Sequence, residues 1–450
     1  MRLLRKLLSY FLLTALVVGI FYAWPRLPII TGFAAKGMCS GVFVGHRTPE
    51  DLSARELSFF PIRLAHTKVD YADSSVTASL WGLARRKAVF RRGLGCALVA
   101  DMPEEQVRRR TALLPPSPYD PDTVAWPRGD LLPTTLPAGV DTGRLAAWLR
   151  EAFDTPGTPP VKKTLAVVAV WKDTLLAEAY APGISRETPL LGWSMTKSLL
   201  NALVGLRCGE GKLSLTAPAP VPQWQHDPRH RITLDPLMHM TSGLAWVEDY
   251  FDNSDVTRML YAKGDMYAYA ASRPAAMPPD SVWYYSSGTT NILSGIVRHT
   301  FPSDEAYYRY PYRHLFYRTG MLHTLLEADA AGTFVASSYS YATARDWARF
   351  GLLYLHDGIF CGDTILPPGW VAYTRQEAPH SGGAYGAQWW LNKDGGLPHV
   401  SRDAFFCDGF QGQRVFVIPS RQLVVVRLGW SMKNFDMDRF VAGILAILPQ

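Results

Sequence analysis

Strand-like segments at both ends of the stretch from residue 140 to residue 450 constrain the fold of the chain most strongly. Residues 164–171 read Thr-Leu-Ala-Val-Val-Ala-Val-Trp, a run rich in β-branched residues, and residues 175–181 return after a turn at Lys172-Asp173. This pattern predicts an antiparallel β-hairpin. Residues 413–428 contain a second pair of apolar runs, separated by Pro-Ser-Arg-Gln. Strands are therefore predicted at the beginning and at the end of one domain.

Helical patterns lie between and outside these strands. Apolar residues recur at helical spacing over 342–355, and helices are also predicted at about 141–153 and 436–448. Strands that begin and end a domain are expected to share one sheet. We therefore predict an α/β (α+β) fold, in which helices flank an antiparallel sheet and residues 198–390 hold most of a large helical insertion.

The tetrapeptide Ser194-Met-Thr-Lys197 is the only Ser-x-x-Lys sequence in the chain. Apolar residues at Leu199, Leu200 and Leu203 predict a helix that begins near Ser194, and residues three apart share one face of a helix. The Lys197 amine is then beside the Ser194 hydroxyl, where a base makes serine a nucleophile. The backbone N–H groups of a helix start also favour a developing negative charge. The alternative interpretation is a solvated helix start with a capping serine.

Two later motifs contain residue types that would complete such a site. Tyr285-Ser-Ser-Gly stands where a loop enters a helical pattern, and its phenol is suited to relaying the serine proton. Gly409-Phe410-Gln411-Gly412 directly precedes a predicted strand. Glycines there permit close approach of the backbone to a ligand, and the Phe410 N–H is a candidate oxyanion donor. The alternatives are an aromatic ring packed under a turn and an ordinary glycine-rich strand entry.

The order of these motifs resembles that of the serine β-lactamase and penicillin-binding family. The resemblance covers about residues 140–450 and is greatest for the class C-like branch that contains esterases and 6-aminohexanoate-dimer hydrolases. Stretches at 240–244, 338–347 and 366–370 support it. The resemblance implies a β-lactamase/transpeptidase-like fold and a small-molecule ester or amide as substrate, with no cofactor.

The resemblance also implies roles for individual residues. Ser194 would be the acyl nucleophile, and Lys197 and Tyr285 would transfer protons. The amides of Ser194 and Phe410 would form the oxyanion hole. The candidates for substrate binding are Ser287, Gly409 and Gln411.

Two departures from the family pattern argue against β-lactam substrates. Members that process β-lactams carry Lys-Thr-Gly or a histidine variant at the third motif, whereas this chain has Cys407-Asp-Gly409 with no cation. A carboxylate-bearing substrate would lose its usual partner there unless Arg402 or Arg414 reaches into the site. The second motif ends in Ser287 where class C enzymes have asparagine, which matches the amide-hydrolase branch.

The N-terminal residues predict membrane attachment and export. Residues 7–24 carry no charge, are long enough to span a bilayer core and follow three basic residues. This arrangement predicts a cytoplasmic tail at 1–6, a single transmembrane anchor at 7–24 and a periplasmic or otherwise extracytoplasmic remainder. A signal peptide that is cleaved after export is the alternative. Residues 25–139 are interpreted as an N-terminal extension and linker, whose function the sequence does not indicate.

Composition and charge exclude some classes of partner. Hydrophobic residues make up 48% of the chain and charged residues 19%, which is the balance of a globular protein. Basic clusters at 85–87 and 108–110 have no nucleic-acid module around them, so we interpret them as solvated faces or as neighbours of an anionic membrane. His226 and His230 are four apart, but Pro228 breaks the helix that they would need, and no metal site is predicted.

The five cysteines show no paired metal spacing. Cys39 and Cys96 both precede the predicted catalytic domain, each beside a strand-like run, and export would permit a disulfide between them. We predict this disulfide, because the segment has a small core of its own. The alternative is a pair of buried free thiols. Cys208, Cys361 and Cys407 are predicted to be unpaired.

The function predicted from these observations is hydrolysis of an ester or a small amide through an acyl-enzyme on Ser194. One alternative is a catalytically silent protein that keeps the fold as a binding module or scaffold. Another is a β-lactamase, or a transferase that passes the acyl group to an amine instead of water. The sequence does not determine the natural substrate or the oligomeric state.

Overall fold

The computed structural model of the chain describes residues 2–155, 157–159, 161–431 and 434–449. In that part the α-helices are, in chain order, α1 Arg2–Ala23, α2 Leu27–Phe43, α3 Pro49–Ala54, α4 Glu104–Arg109, α5 Thr142–Arg150, α6 Thr196–Gly209, α7 Leu234–Met238, α8 Asp255–Ala262, α9 Met266–Ala271, α10 Ser287–His299, α11 Asp304–Pro311, α12 Ala344–Leu355, α13 Trp370–Thr374 and α14 Met437–Ile447. The β-strands are β1 His66–Asp70, β2 Ser75–Leu80, β3 Leu83–Arg91, β4 Gly95–Val99, β5 Thr164–Trp171, β6 Thr174–Tyr180, β7 Leu190–Leu191, β8 Leu325–Leu326, β9 Ser340–Ala342, β10 Ile359–Phe360, β11 Asp363–Thr364, β12 Trp390–Leu391, β13 Phe405–Gly409, β14 Gln413–Ile418 and β15 Leu423–Gly429.

The largest sheet has the strand order β12-β13-β14-β15-β5-β6 and is antiparallel throughout. Strand β5, from the start of the predicted domain, lies beside β15 from its end, with Val424 opposite Val170. All residues of β5 are buried, because α12 covers one face of the sheet and α5 and α14 cover the other. The predicted antiparallel sheet, joined by its first and last segments and flanked by helices, is confirmed.

Both predicted hairpins of this sheet are present. The turn between β5 and β6 consists of Lys172 and Asp173, whose φ angles are +48° and +61°. A two-residue turn matches the twist of the two strands that it joins only when both of its residues adopt such left-handed conformations. Strands β14 and β15 are joined by the short helix Pro419–Arg421. Each hairpin is a local structure, so local sequence was sufficient to predict it.

The helical insertion carries the backbone that surrounds Ser194. Helix α6 is buried along residues 196–207 and follows a one-turn helix at Trp193–Met195. The small sheet β7-β9-β8 lies beside that turn. The amide of Gly192 donates a hydrogen bond of 2.8 Å to the carbonyl of Ser340 in β9. The sheet therefore fixes the backbone just ahead of Ser194.

Helix α2 is an interior helix of the N-terminal part. It packs against the four-stranded sheet β1-β2-β3-β4 and against α8. Thr31 Oγ1 donates to the carbonyl of Ala84 at 2.6 Å, and the rings of Phe33 and Tyr261 have centroids 5.3 Å apart. Helix α2 thus contacts both the N-terminal sheet and the insertion. The division into an extension at 25–139 and a catalytic domain at 140–450 stays a prediction.

The N-terminal apolar run lies in α1. The sequence predicts a transmembrane anchor at 7–24, but among the described residues no helix is both long and apolar enough to cross a membrane. The predicted transmembrane helix is therefore not found. Five positions within the predicted span have side chains outside the described part of the structure, namely Leu8, Ala15, Leu16, Val18 and Ile20.

A disulfide between Cys39 and Cys96 joins α2 to β4, with Cα atoms 6.1 Å apart. This confirms the predicted pairing. Both sulfur-bearing side chains are fully buried. Cys208, Cys361 and Cys407 are unpaired in the described structure, as predicted.

Replacing Cys39 and Cys96 together by serine is expected to lower the free energy of unfolding by about 4 kcal/mol, because the bond closes a loop with a sequence separation of 57 residues. Denaturant unfolding under non-reducing conditions measures this loss. Cys361→Ser is the matched control, since that thiol is exposed and unpaired, and it should change stability by less than about 0.5 kcal/mol. Equal unfolding midpoints for the double variant and the control would contradict the prediction.

Candidate active site

The turn that carries Ser194 is held by its neighbours. Ser194 is half-buried, lies in the one-turn helix Trp193–Met195 and lines a cleft. Trp193 has a φ of +49°, a left-handed conformation that costs a residue with a side chain about 1–2 kcal/mol. Thr196 Oγ1 donates to the Trp193 carbonyl at 2.6 Å. The surrounding contacts keep this strained turn in place, with the serine facing the cleft.

Lys197 points its amine at Ser194 from the first turn of α6. Its Nζ lies 3.1 Å from Ser194 Oγ, 3.1 Å from Ser287 Oγ and 3.0 Å from the Ser337 carbonyl oxygen. The residue is only 1% exposed. Burial lowers the pKa of Lys197 to about 8, and the charge of Glu248 opposes this shift. An amine with this pKa is partly neutral near pH 8 and can then accept a proton from the serine.

Glu248 belongs to the site and was not predicted from the sequence. Its carboxylate accepts hydrogen bonds from the Ser287 amide at 2.9 Å, the Ser287 hydroxyl at 2.5 Å and the Trp246 indole at 2.5 Å. Ser287 therefore lies between this carboxylate and the Lys197 amine. Because Ser287 is fully buried, the structure places it beneath the cleft, in contact with Lys197. A single glutamate in an irregular loop has no sequence pattern that would have indicated this position.

Glu248→Gln is expected to shift the pH dependence of the reaction to lower pH. The negative charge of Glu248 raises the pKa of Lys197, so without it burial lowers that pKa further. Because neutral Lys197 is the form that accepts a proton, kcat/KM should rise at a lower pH than in the unmodified protein, by about one pH unit or less. The measurement is kcat/KM as a function of pH, with Glu105→Gln as control because that carboxylate is solvent-exposed in α4. An unchanged or upward-shifted profile would refute this electrostatic role.

Tyr285 lies next to the serine and lysine, where its motif predicted it. Its ring centroid is 4.7 Å from Lys197 Nζ. Burial raises the pKa of Tyr285 well above its ordinary value, with smaller contributions from Tyr385 and Glu248, whereas the neighbouring Ser194 hydroxyl lowers it. The phenol is therefore neutral and able to donate its proton near Ser194.

Tyr250 is a second phenol at the site and was not predicted. Its pKa is raised by burial, and the hydroxyls of Ser287, Ser338 and Ser194 are its neighbours. The Tyr250 hydroxyl has no hydrogen-bond partner within the described residues. Its ring stacks on Phe410 at a centroid distance of 5.0 Å. Tyr250 therefore connects the nucleophile side of the cleft to the third motif.

The third motif forms the opposite side of the cleft. Strand β13 passes so close to the Ser194 turn that a Cβ atom on Gly409 would lie 2.3 Å from the Gly192 carbonyl oxygen. Glycine is required there by the contact with the Gly192 backbone, and the predicted close approach to a ligand stays a prediction. The next residue, Phe410, has an amide without a hydrogen-bond partner in the described part of the chain. Gln411 follows with a buried side-chain nitrogen that is likewise unpaired there. All three residues line the cleft.

Arg427 fixes the turn that contains Phe410. The guanidinium is fully buried in β15 and donates to the Gly412 carbonyl at 2.9 Å and to the Ser431 hydroxyl at 2.6 Å. Burial lowers its pKa to about 9, and the charge of Arg414 acts in the same direction. Because a buried guanidinium must satisfy its donors, these bonds tie Gly412 and Ser431, which line the cleft, to the central sheet.

Either Arg402 or Arg414 was a candidate from the sequence for a cation at the third motif. Arg414 lines the cleft, but its Nε is 2.7 Å from the Asp408 carboxylate. Arg402 donates to the Lys393 carbonyl at 2.9 Å and does not line the cleft. In the described part of the cleft wall, the cation at this motif is therefore Arg414, and its charge is already paired with Asp408.

The cleft between these two sides has a volume of about 370 Å³, which suits a small organic molecule. Aromatic rings line much of it, namely Tyr250, Tyr285, Trp390, Phe410 and Phe435. No group of three or more metal-ligating side chains occurs among the residues that the structure describes. A serine beside a partly neutral amine, neutral phenols and a free backbone amide together suit acyl transfer.

Comparisons with known proteins agree with this geometry. The family model described as beta-lactamase matches residues 162–442, more than half of the chain, and the match includes Ser194, Lys197 and Tyr285. A 6-aminohexanoate-dimer hydrolase from Paenarthrobacter ureafaciens is 24% identical over 345 residues, which are 67% of this chain and 83% of that protein.

Solved structures share the fold at low sequence identity. A Bacillus anthracis protein, provisionally assigned as a 6-aminohexanoate-dimer hydrolase, has a TM-score of 0.57 and 22% identity, over 75% of this chain and 92% of that one. A penicillin-binding protein homologue from Caulobacter crescentus has a TM-score of 0.54 and 15% identity, over 70% and 99%. These likenesses show a shared overall fold.

Proposed function

The chain belongs to the beta-lactamase family, and on this premise we propose that it is a serine hydrolase that cleaves an ester or a small amide through an acyl-enzyme on Ser194. The observation that carries the proposal is the 3.1 Å hydrogen bond between Lys197 Nζ and Ser194 Oγ, made by a lysine whose pKa burial lowers to about 8. The similarity to a 6-aminohexanoate-dimer hydrolase supports the same class of chemistry.

In the first half of the reaction, neutral Lys197 accepts the Ser194 proton while Oγ attacks the substrate carbonyl. The amides of Ser194 and Phe410 stabilise the resulting oxyanion. The C–O or C–N bond to the leaving group then breaks, and the leaving group takes a proton that Tyr285 relays from Lys197. An ester on Ser194 and a free alcohol or amine are the products of this half.

In the second half, water attacks the ester carbonyl and gives its proton to the same pair of groups, Tyr285 and Lys197. The tetrahedral intermediate collapses, the bond to Ser194 Oγ breaks and the acid leaves. The proton taken from water returns to Ser194 Oγ, so the enzyme regains its starting state. Ser287 and Glu248 keep Lys197 in place throughout, through the hydrogen bonds described above.

The proposal is tested by labelling with a fluorophosphonate and by hydrolysis of short-chain p-nitrophenyl esters. We expect a single phosphonylated residue, Ser194, by peptide mass spectrometry, and turnover that this label abolishes. A protein that neither reacts nor turns over any ester or amide in a substrate library would instead be a binding module or scaffold. Added amine that diverts the acyl group from acid to amide would identify a transferase.

Nitrocefin turnover is expected to have a kcat/KM at least about 100-fold below that of the best short ester. The carboxylate of a β-lactam needs a cation at the third motif, and Arg414 is held there by Asp408 at 2.7 Å. Steady-state kinetics of the purified protein give both values. Asp408→Asn releases Arg414 and should improve the KM of carboxylate-bearing esters more than that of neutral ones. Rapid nitrocefin hydrolysis by the unmodified protein would contradict the prediction.

We also propose that the folded part of the chain is exported to an oxidising compartment. The Cys39–Cys96 disulfide supports this, because such bonds persist in oxidising environments and are rare in the cytosol of most organisms. Non-reducing peptide mapping of protein from the native host tests the proposal. Alkylation of both thiols without reductant would exclude it.

A further inference from the structure

The residue ahead of the nucleophile is held in an unfavourable backbone conformation by a ring of aromatic side chains. Trp193 has a φ of +49°, and conformations of this kind persist only where the surroundings impose them. The indole is buried, with 3% exposed. Five aromatic rings lie within 6.4 Å of it, centroid to centroid, namely Phe33, Tyr250, Tyr339, Phe410 and Trp430.

Phe33 differs from the other four rings in its geometry and in its origin. It stacks on the indole, with centroids 5.7 Å apart and planes 29° apart, whereas the others are inclined by 56° to 85°. It also comes from α2, which lies outside residues 162–442 that the family model matches. The flat face of Trp193 is thus covered by a segment that precedes the matched domain.

Buried polar contacts hold helix α2 in place close to Phe33. Lys36 Nζ forms an ion pair of 2.6 Å with Glu327, and both side chains are buried. The same amine lies 3.9 Å from the ring centroid of Tyr339, another neighbour of Trp193. Ser40 Oγ also donates to Glu327 at 2.8 Å. One helix face therefore contacts Trp193 directly through Phe33 and indirectly through Tyr339.

We propose that Phe33 is a positioning residue for Ser194, so that α2 completes the active site from outside the matched domain. The inference rests on the proposed function, in which Ser194 is the nucleophile. Without the phenyl ring, one face of Trp193 loses its support, and the strained turn relaxes together with Ser194 Oγ. A displacement of about 1 Å at a reacting atom can lower the rate by about 100-fold.

The decisive variant is Phe33→Ala, compared with Phe43→Ala in the same helix. Phe43 is half-buried and packs on Phe90 and Tyr71 of the N-terminal part, with ring centroids 5.6 and 6.0 Å away. Both variants remove one ring from α2, but only the first removes a contact with Trp193. Fluorophosphonate titration counts the competent sites in each preparation, and kcat per site is then compared for one neutral ester.

We expect Phe33→Ala to lower kcat per site by about 10- to 100-fold while KM changes much less, because the cleft walls keep their side chains. Phe43→Ala should keep the kcat per site of the unmodified protein, even where it lowers the fraction of folded molecules. Phe33→Leu, which covers part of the indole, should fall between the two. A purely structural role would reduce the number of competent sites without changing kcat per site.

Equal kcat per site in Phe33→Ala and Phe43→Ala would overturn the inference. If Phe33→Ala does not fold, Phe33→Leu decides, and an unchanged kcat per site in that variant would also overturn it. Ser194→Ala is run in parallel. Activity that survives Ser194→Ala refutes the proposed function itself, whereas an inactive Ser194→Ala with unaffected Phe33 variants refutes only the role of α2.

Discussion

Ser194→Ala is expected to lower kcat for any hydrolysed ester or amide by about 10⁴-fold or more and to leave the fold intact. Lys197 Nζ is 3.1 Å from Ser194 Oγ, so the variant removes the hydroxyl that this base would deprotonate. Alanine keeps the backbone of the turn and its amide. Circular dichroism and the unfolding midpoint should match the unmodified protein, while steady-state kinetics measure the loss.

Ser431→Ala is the matched control for this variant. Ser431 also lines the cleft, but its hydroxyl accepts a hydrogen bond from Arg427 at 2.6 Å, whereas the described hydrogen bonds of Lys197 go to Ser194, Ser287 and Ser337. Removing this hydroxyl should lower kcat by less than about tenfold. Near-normal activity of Ser194→Ala, or equal losses in the two serine variants, would exclude Ser194 as the nucleophile.

Lys197→Arg is expected to lower kcat by about 100- to 10,000-fold, the usual contribution of a proton-transfer group. Arginine retains length and charge but does not deprotonate at accessible pH, so the substitution separates the positive charge from the base. In the unmodified protein, burial lowers the pKa of Lys197 to about 8, and the neutral amine is the active form. Its kcat/KM should therefore rise with pH and level off above about pH 8.

The pH profile also provides the control for this second prediction. The rise that depends on Lys197 should be absent from the residual activity of Lys197→Arg, because no group with that pKa remains beside Ser194. Lys263→Arg changes a partly exposed lysine that pairs with Asp101 and should leave both kcat and the profile unchanged. A profile that keeps its rise in Lys197→Arg would assign the titration to another group.

Sequence patterns correctly predicted structures that form through contacts between residues close together in the chain. The β5–β6 hairpin depends on apolar strands and on two residues with left-handed φ between them, all within 17 consecutive residues of the sequence. The Ser-x-x-Lys motif places its two side chains together because residues three apart share a helix face. The Cys39–Cys96 disulfide was also predicted, although from the inferred export and from the small core of the segment that holds both cysteines rather than from geometry.

Residues that reach the site from distant segments could not be predicted in this way. Glu248 and Tyr250 come from an irregular loop, and Arg427 comes from the central strand β15. Each was an ordinary residue in its own sequence context. The transmembrane prediction for 7–24 rested on the length of an uncharged apolar run and on the basic residues before it, whereas no helix in the described residues is long and apolar enough to cross a membrane.

The amino-acid sequence by itself determined the hairpins and the helix that presents Ser194 to Lys197, because each depends on neighbours within a few residues. Only the tertiary structure decided which groups surround that pair. Three features of the site arise when segments up to 160 residues apart pack together. They are the burial that lowers the pKa of Lys197, the carboxylate of Glu248 behind Ser287 and the stacking of Phe33 on Trp193. Such packing depends on shape and desolvation across the whole fold, and a linear pattern does not specify either.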